Sequence, residues 1–176
     1  MNLSLCQCRR AMPDDAAETA VNEGDGDHAG VHVPPPLIHL AAIGIALGMS
    51  AWFPLAWPMS PLLALPGIVL LLLSFGIAAN AFRHFTRHDN PVAPNRPVSG
   101  LMETGPFRYT RNPLYLALAL LHAGIGLVSA NAWILLALAP TLLIVRYYAI
   151  AREEAYLMRR FGEAYREYQR RVRRWF

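Results

Sequence analysis

The sequence predicts an all-α integral membrane protein with about four transmembrane helices and a C-terminal cytoplasmic, interfacial helix. Three observations carry this. Of the 176 residues, 55% are hydrophobic and the mean hydropathy is +0.27, which is too apolar for a soluble domain of this length. The apolar residues fall into four blocks, each to be measured against the ~20 residues a helix needs to cross the hydrocarbon. All 16 basic side chains are arginines, and they avoid two of the connections between blocks.

The elements follow in chain order. Residues 1–36 form an acidic N-terminal tail. Residues 1–33 carry Arg9 and Arg10 against six acids, a net charge of −4, and the tail leaves through Pro34-Pro35-Pro36. That composition predicts disorder ending in a stiff polyproline exit. Cys6 and Cys8 lie within it, and two ligands close no zinc site, so no metal is expected. The first apolar run starts too far into the chain for a signal peptide and is expected to be a retained helix.

Residues 37–57 contain no Asp, Glu or Arg and would span about 31 Å as a helix. Trp52 and Trp57 near its far end suit the boundary between acyl chains and headgroups. Pro58 and Pro61 supply an uncharged turn, and residues 62–82 form the second crossing. Arg83, His84, Arg87 and His88 then open a polar cytoplasmic loop over 83–112, whose five arginines and repeated prolines argue against a helix. Residues 113–128 and 132–149 are the third and fourth crossings, joined by the tight link Ser129-Ala130-Asn131. Both are short, so tilt or incomplete thickness is expected. Residues 150–176 show helical spacing with Leu157, Met158, Phe161, Tyr165 and Tyr168 toward one side, interrupted by Gly162.

Charge sorts these connections. Arginines occur in the tail, in the 83–112 loop and from Arg146 onward, whereas the 58–61 and 129–131 turns have none. An even number of crossings places all arginine-bearing regions on one side, which predicts both termini in the cytoplasm and residence in a bacterial inner membrane. Basic excess beside apolar spans reports topology and anionic headgroups, so no nucleic-acid partner is expected. Oligomeric state leaves no mark on the sequence.

Any chemistry must come from helix ends and the two polar segments, because no strand, glycine loop and helix unit or G-x-G-x-x-G is present. The first segment is Gly105-Pro106-Phe107-Arg108-Tyr109-Thr110-Arg111-Asn112-Pro113-Leu114-Tyr115. Asn112 can cap a helix with Pro113 at its first position. Arg111 and Tyr115, four apart across that start, make an electropositive pocket suited to a carboxylate. The second segment supplies Glu153 and Glu154 within about two turns of the membrane end, where paired anions do not help to bind anionic lipid. Arg146 is ionisable at membrane depth, which makes it a functional candidate or a side chain snorkelling to headgroups.

Together these residues resemble the isoprenylcysteine carboxyl methyltransferase family and its bacterial relatives, which are also similar to phospholipid N-methyltransferases. The resemblance runs through Gly105-Pro106-Phe107-Arg108-Tyr109, Arg111-Asn112-Pro113-Leu114-Tyr115, an apolar hairpin, Glu153-Glu154, and Phe161-Gly162-Glu163-Ala164-Tyr165-Arg166-Glu167-Tyr168. Asn112 stands where the family has histidine, and asparagine cannot titrate near neutrality.

The resemblance implies an S-adenosylmethionine-dependent methyltransferase acting on a lipophilic substrate, either the carboxylate of a prenylcysteine-like compound or a lipid amine or thiol. Cofactor binding is accordingly expected of Gly105, Tyr109, Asn112, Pro113, Tyr115, Glu153 and Glu154, and catalysis of Arg111 and Glu154, with Arg146 added on the ground of its membrane depth alone. The competing expectation is a non-enzymatic small membrane protein that binds anionic lipid or a partner subunit.

Overall fold

The computed structural model describes residues 29–55, 61–87 and 100–175. The acidic tail through residue 28, both cysteines, the turn at 58–60 and residues 88–99 of the polar loop lie outside the described residues. Six α-helices occur among the described residues, with no strand: α1 Pro35–Trp52, α2 Pro61–Arg87, α3 Pro113–Val128, α4 Ala132–Ile144, α5 Ala151–Phe161 and α6 Glu163–Arg171. Gly105–Arg108 forms a 3₁₀ turn, and Val145–Ile150 is π-helical and joins α4 to α5. Three spans are long and apolar enough to cross a membrane, namely Pro35–Trp52, Ala64–Arg87 and the continuous Ala132–Phe161. The 16 residues of α3 form a shorter apolar helix, about 24 Å long.

Two helices differ from the sequence expectation at their ends, for local reasons. α1 begins earlier, at Pro35, because proline is preorganised for the first helical position, and it stops at Trp52 rather than Trp57. Pro54 disfavours helical backbone at Phe53, which sits at φ −131°, ψ 77°. α2 runs past residue 82 to Arg87, absorbing Arg83 and His84 that the sequence assigns to the loop. No proline or glycine stands between Ala81 and Arg87, and cations at a helix C-terminus meet its partial negative charge. Thr86 Oγ1 donates to the carbonyls of Phe82 and Arg83 at 3.2 and 3.0 Å, closing that last turn.

α3 lies at the centre, packed against α2, α4 and α1, while α1 packs chiefly on α4. The α2–α3 seam is close because glycines line it. A Cβ on Gly124 would stand 2.8 Å from Leu71 Cδ2 and 3.0 Å from the carbonyl of Gly67. Small residues let apolar helices approach where no hydrophobic force separates helix from lipid. Ser74 Oγ adds an interhelical bond to the Ala117 carbonyl at 2.7 Å. The α3–α4 hairpin is set by Asn131, whose side chain accepts from the Trp133 and Ile134 amides at 3.0 and 3.2 Å.

α1 is keyed to the hairpin by buried histidines. His39 Nδ1 lies 3.0 Å from His122 Nδ1, and His122 Nε2 lies 3.0 Å from the Ile134 carbonyl. A carbonyl only accepts, so His122 Nε2 carries its proton; His122 Nδ1 then accepts and His39 Nδ1 donates.

Past the π-helical turn the expected single C-terminal helix is two. Gly162 adopts φ +53° between α5 and α6, a conformation that L side chains resist. The bend brings Tyr165, Tyr168 and Val172 into one apolar cluster with Leu101, Leu157, Met158 and Phe161 packed against it. Tyr168 donates its hydroxyl to the Phe107 carbonyl at 2.7 Å, which ties α6 to the segment leading into α3.

Candidate functional site

The site forms where the start of α3, the start of α5 and the chain after α6 converge. Asn112 occupies the N-cap position of α3, but its side chain makes no cap bond. Its amide instead donates to the Arg174 carbonyl at 3.0 Å. Thr110 Oγ1 donates to the same carbonyl at 3.1 Å, and the Arg111 amide donates to the Arg173 carbonyl at 3.1 Å. The sequence expectation of a capping asparagine is thus corrected: the residue holds the returning C-terminal segment.

α5 contributes the two glutamates, and they have different surroundings. Tyr115 donates its hydroxyl to Glu153 Oε1 at 2.5 Å. Glu154 is enclosed by cations. Arg174 Nε lies 2.9 Å from its Oε1 and Arg174 Nη2 lies 2.5 Å from Oε2, while Arg111 Nη1 lies 3.2 Å from Oε1. The π-helical turn contributes to this arrangement. One residue inserted into a helix rotates everything after it by about 100°, so the turn sets which glutamate faces inward.

Electrostatics follow the same contacts. The Glu154 carboxylate raises the Arg174 guanidinium, chiefly through their hydrogen bonds. Burial raises the phenols of Tyr165 and Tyr168 in the apolar cluster beneath the site.

A cavity of about 640 Å³ opens against this wall, within the range of small-molecule sites. Arg111, Asn112, Tyr115 and Glu153 give it a polar end. Phe75, Ala78, Phe82 and Phe85 of α2 and Leu118 and Leu121 of α3 give it an apolar body. Phe75 and Phe82 are also exposed on the outer, membrane-crossing surface of α2. The segment Val31–Pro36 forms another wall; Val31 is buried beside Tyr115, and the Val33 amide donates to Tyr148 Oη at 3.0 Å. Arg111 Nε is buried and, among the described residues, has no hydrogen-bond partner. Unpartnered buried donors are costly and rare, so this one fits an anionic ligand group at the cavity wall.

The structure therefore brings together five of the sequence candidates, Arg111, Asn112, Pro113, Tyr115 and Glu153, at one cavity. Glu154 stands behind them in its ion pairs. Three others lie elsewhere. Gly105, at φ +61°, is pressed against α2, and a Cβ there would meet the His84 ring at 2.0 Å from Nε2. Tyr109 is exposed and faces a second cavity of about 610 Å³, lined by Val69, Leu73, Asn80 and Trp175 among others. Arg146 is exposed with its guanidinium 5.6 Å from the Tyr147 ring centroid.

Sequence reasoning missed Arg174, the aromatic wall of α2 and the Val31–Pro36 wall. Arg174 sits in the run Arg170-Arg171-Val172-Arg173-Arg174, which reads as a headgroup-facing cation cluster. The signal was the glutamate pair, since a carboxylate enclosed by protein requires a cation beyond Arg111.

Residues 62–164 match the phospholipid methyltransferase family. The chain belongs to that family. Membership carries methyl transfer in a membrane setting, and the matched stretch contains Arg111 through Tyr115 and both glutamates. A further similarity is to an uncharacterized protein of Haemophilus influenzae, 39% identical over 62 residues, which make up 35% of this chain and 98% of that protein. No solved structure matches.

Proposed function

We propose that this phospholipid methyltransferase family member is an S-adenosylmethionine-dependent enzyme that methylates a lipophilic molecule drawn from the bilayer. The observation that carries the reading is the two-ended cavity, with Arg111, Asn112, Tyr115 and Glu153 at one end and Phe75, Ala78, Phe82 and Leu121 along its body. The polar end fits the cofactor. Arg111, with its unpartnered Nε, suits the methionine carboxylate, and Glu153 suits the ammonium or ribose hydroxyls. The arginine asymmetry supports placing this end, and both termini, in the cytoplasm of a bacterial inner membrane.

S-adenosylmethionine supplies a methyl group already activated by its sulfonium, so the protein's task is alignment more than acid–base work. Arg111 and Asn112 orient the polar ligand from the start of α3. Tyr115 fixes Glu153 so that its carboxylate keeps one setting. The aromatic body excludes water from the acceptor atom and holds an apolar tail, which leaves the nucleophile poorly solvated and more reactive. A carboxylate acceptor needs no base. A lipid amine or thiol must lose a proton, and Glu153 is the carboxylate at the cavity able to take it.

Protein purified in detergent or nanodiscs should bind S-adenosylmethionine in equilibrium dialysis. Native membranes incubated with methyl-labelled cofactor should pass label to an extractable lipophile. Label in the lipid extract, in protein or in a volatile product distinguishes the acceptor classes. Absence of cofactor binding by folded protein sinks the proposal.

A further inference from the structure

After α6 the backbone turns extended at Val172, with φ −122° and ψ 129°, and runs back beneath the start of α3. Residues 172–175 lie beyond the stretch matched to the family. They nevertheless make three hydrogen bonds to Thr110, Arg111 and Asn112 through the carbonyls of Arg173 and Arg174. The Arg174 side chain reaches the other way and grips both Glu154 oxygens through Nε and Nη2. A guanidinium fork on a carboxylate fixes its plane as well as its position. One residue thus touches both polar segments from which the site is built, the loop before α3 and the glutamate pair of α5.

This grip decides which glutamate is available. Glu154 is held by Arg174 and Arg111, with its side chain only 12% exposed, and it does not line the cavity. Glu153, its neighbour, does. We propose that Arg174 is a positioning residue for the methyl-transfer site: it fixes Glu154, and through its carbonyl Asn112, so that Arg111 stands at the cavity wall and Glu153 presents the carboxylate to the cofactor. The proposal rests on the reading of this cavity as the S-adenosylmethionine site.

The test measures S-adenosylmethionine affinity and thermal unfolding for the full chain and for R174Q, R174K, E154Q and the R174Q/E154Q pair. R174Q is expected to weaken affinity about tenfold or more, the scale of a lost charge-assisted hydrogen bond, measured well below its melting temperature, which falls because the enclosed Glu154 loses one of its two cations. R174K should recover part of that loss. Because Arg174 acts through Glu154, the double variant should bind no more weakly than the worse single variant.

Wild-type affinity in R174Q, or losses that multiply in the pair, overturns the proposal. If R174Q does not fold, R174K decides: affinity within about twofold of wild type, against the threefold or greater loss expected without the fork, overturns it. A wild-type chain that binds no cofactor removes the functional reading and this inference together. A wild-type chain that binds while R174Q binds equally well removes only the inference.

Discussion

Tyr115 on α3 and Glu153 on α5 are joined by a 2.5 Å hydrogen bond across the wall of the polar cavity. The two residues are 38 positions apart and belong to different helices, so the bond fixes the glutamate relative to the helix that carries Arg111 and Asn112 at its start. Tyr115→Phe keeps the ring and removes the donor. It should weaken S-adenosylmethionine binding by about fivefold, whereas Glu153→Gln should cost at least about tenfold, reflecting one lost hydrogen bond to a charged group and one lost charge. Isothermal titration of the purified protein checks both, and equal affinity in Glu153→Gln and wild type would count against the cofactor assignment.

The apolar body of the cavity is separable from its polar end. Ala78 lines it from α2, and Ala78→Phe would fill space there without touching Arg111 or Glu153. The lipophilic substrate should then show a KM raised by about tenfold, the order expected when apolar contacts are displaced from a pocket, while cofactor affinity stays within about twofold. Steady-state kinetics at saturating cofactor separates the two effects. Equal weakening of both ligands would show that they share the same space.

Gly105 meets a backbone requirement at the start of the 3₁₀ turn. With φ +61° and a would-be Cβ 2.0 Å from His84 Nε2, Gly105→Ala combines positive-φ strain with a clash against α2. The expected loss is about 1–3 kcal/mol of stability. Thermal unfolding in detergent should show it, and an unchanged midpoint would mean that the 3₁₀ turn and α2 are not in contact in the folded protein.

Asn131→Ala removes the acceptor that serves the amides of Trp133 and Ile134. Loss of an asparagine cap costs about 1 kcal/mol in helices generally, and the hairpin position gives no reason for less. The same unfolding assay applies, and Asn131→Asp should retain nearly all wild-type stability, since aspartate offers the same acceptor.

Much of this architecture is legible in the residues. Apolar block length locates the four apolar helices, three of them long enough to cross a membrane, although the last continues to Phe161, well beyond the expected residue 149. The misplaced ends trace to proline geometry at Phe53-Pro54 and to the lack of any breaker before Arg87. Arg111, Asn112, Tyr115 and Glu153 are legible because their residue types suit charged recognition at a helix start. Less legible is what long-range folding decides. Glu153 and Glu154 look equivalent in the sequence, and only the π-helical turn and the returning chain separate a cavity-facing carboxylate from one locked in ion pairs. Asn112 has the chemistry of a cap, yet the arrival of the Arg174 carbonyl redirects its amide. Arg146 and Tyr109 carry the right chemistry but lie away from the polar cavity, Arg146 exposed and Tyr109 against a second one, which no local pattern reports.

The histidine pair has a consequence for chain modularity. α1 precedes the stretch matched to the family, while His122 lies inside it. His122 donates to Ile134 within its own hairpin, but its other nitrogen needs a donor that arrives on α1. A chain built from the matched stretch alone would present that lone pair to hydrocarbon, where nothing can satisfy it. The residue at 122 is therefore a reporter of the first helix: histidine there is compatible with a partner supplied from outside the core, and a core that works without one is better served by an apolar side chain.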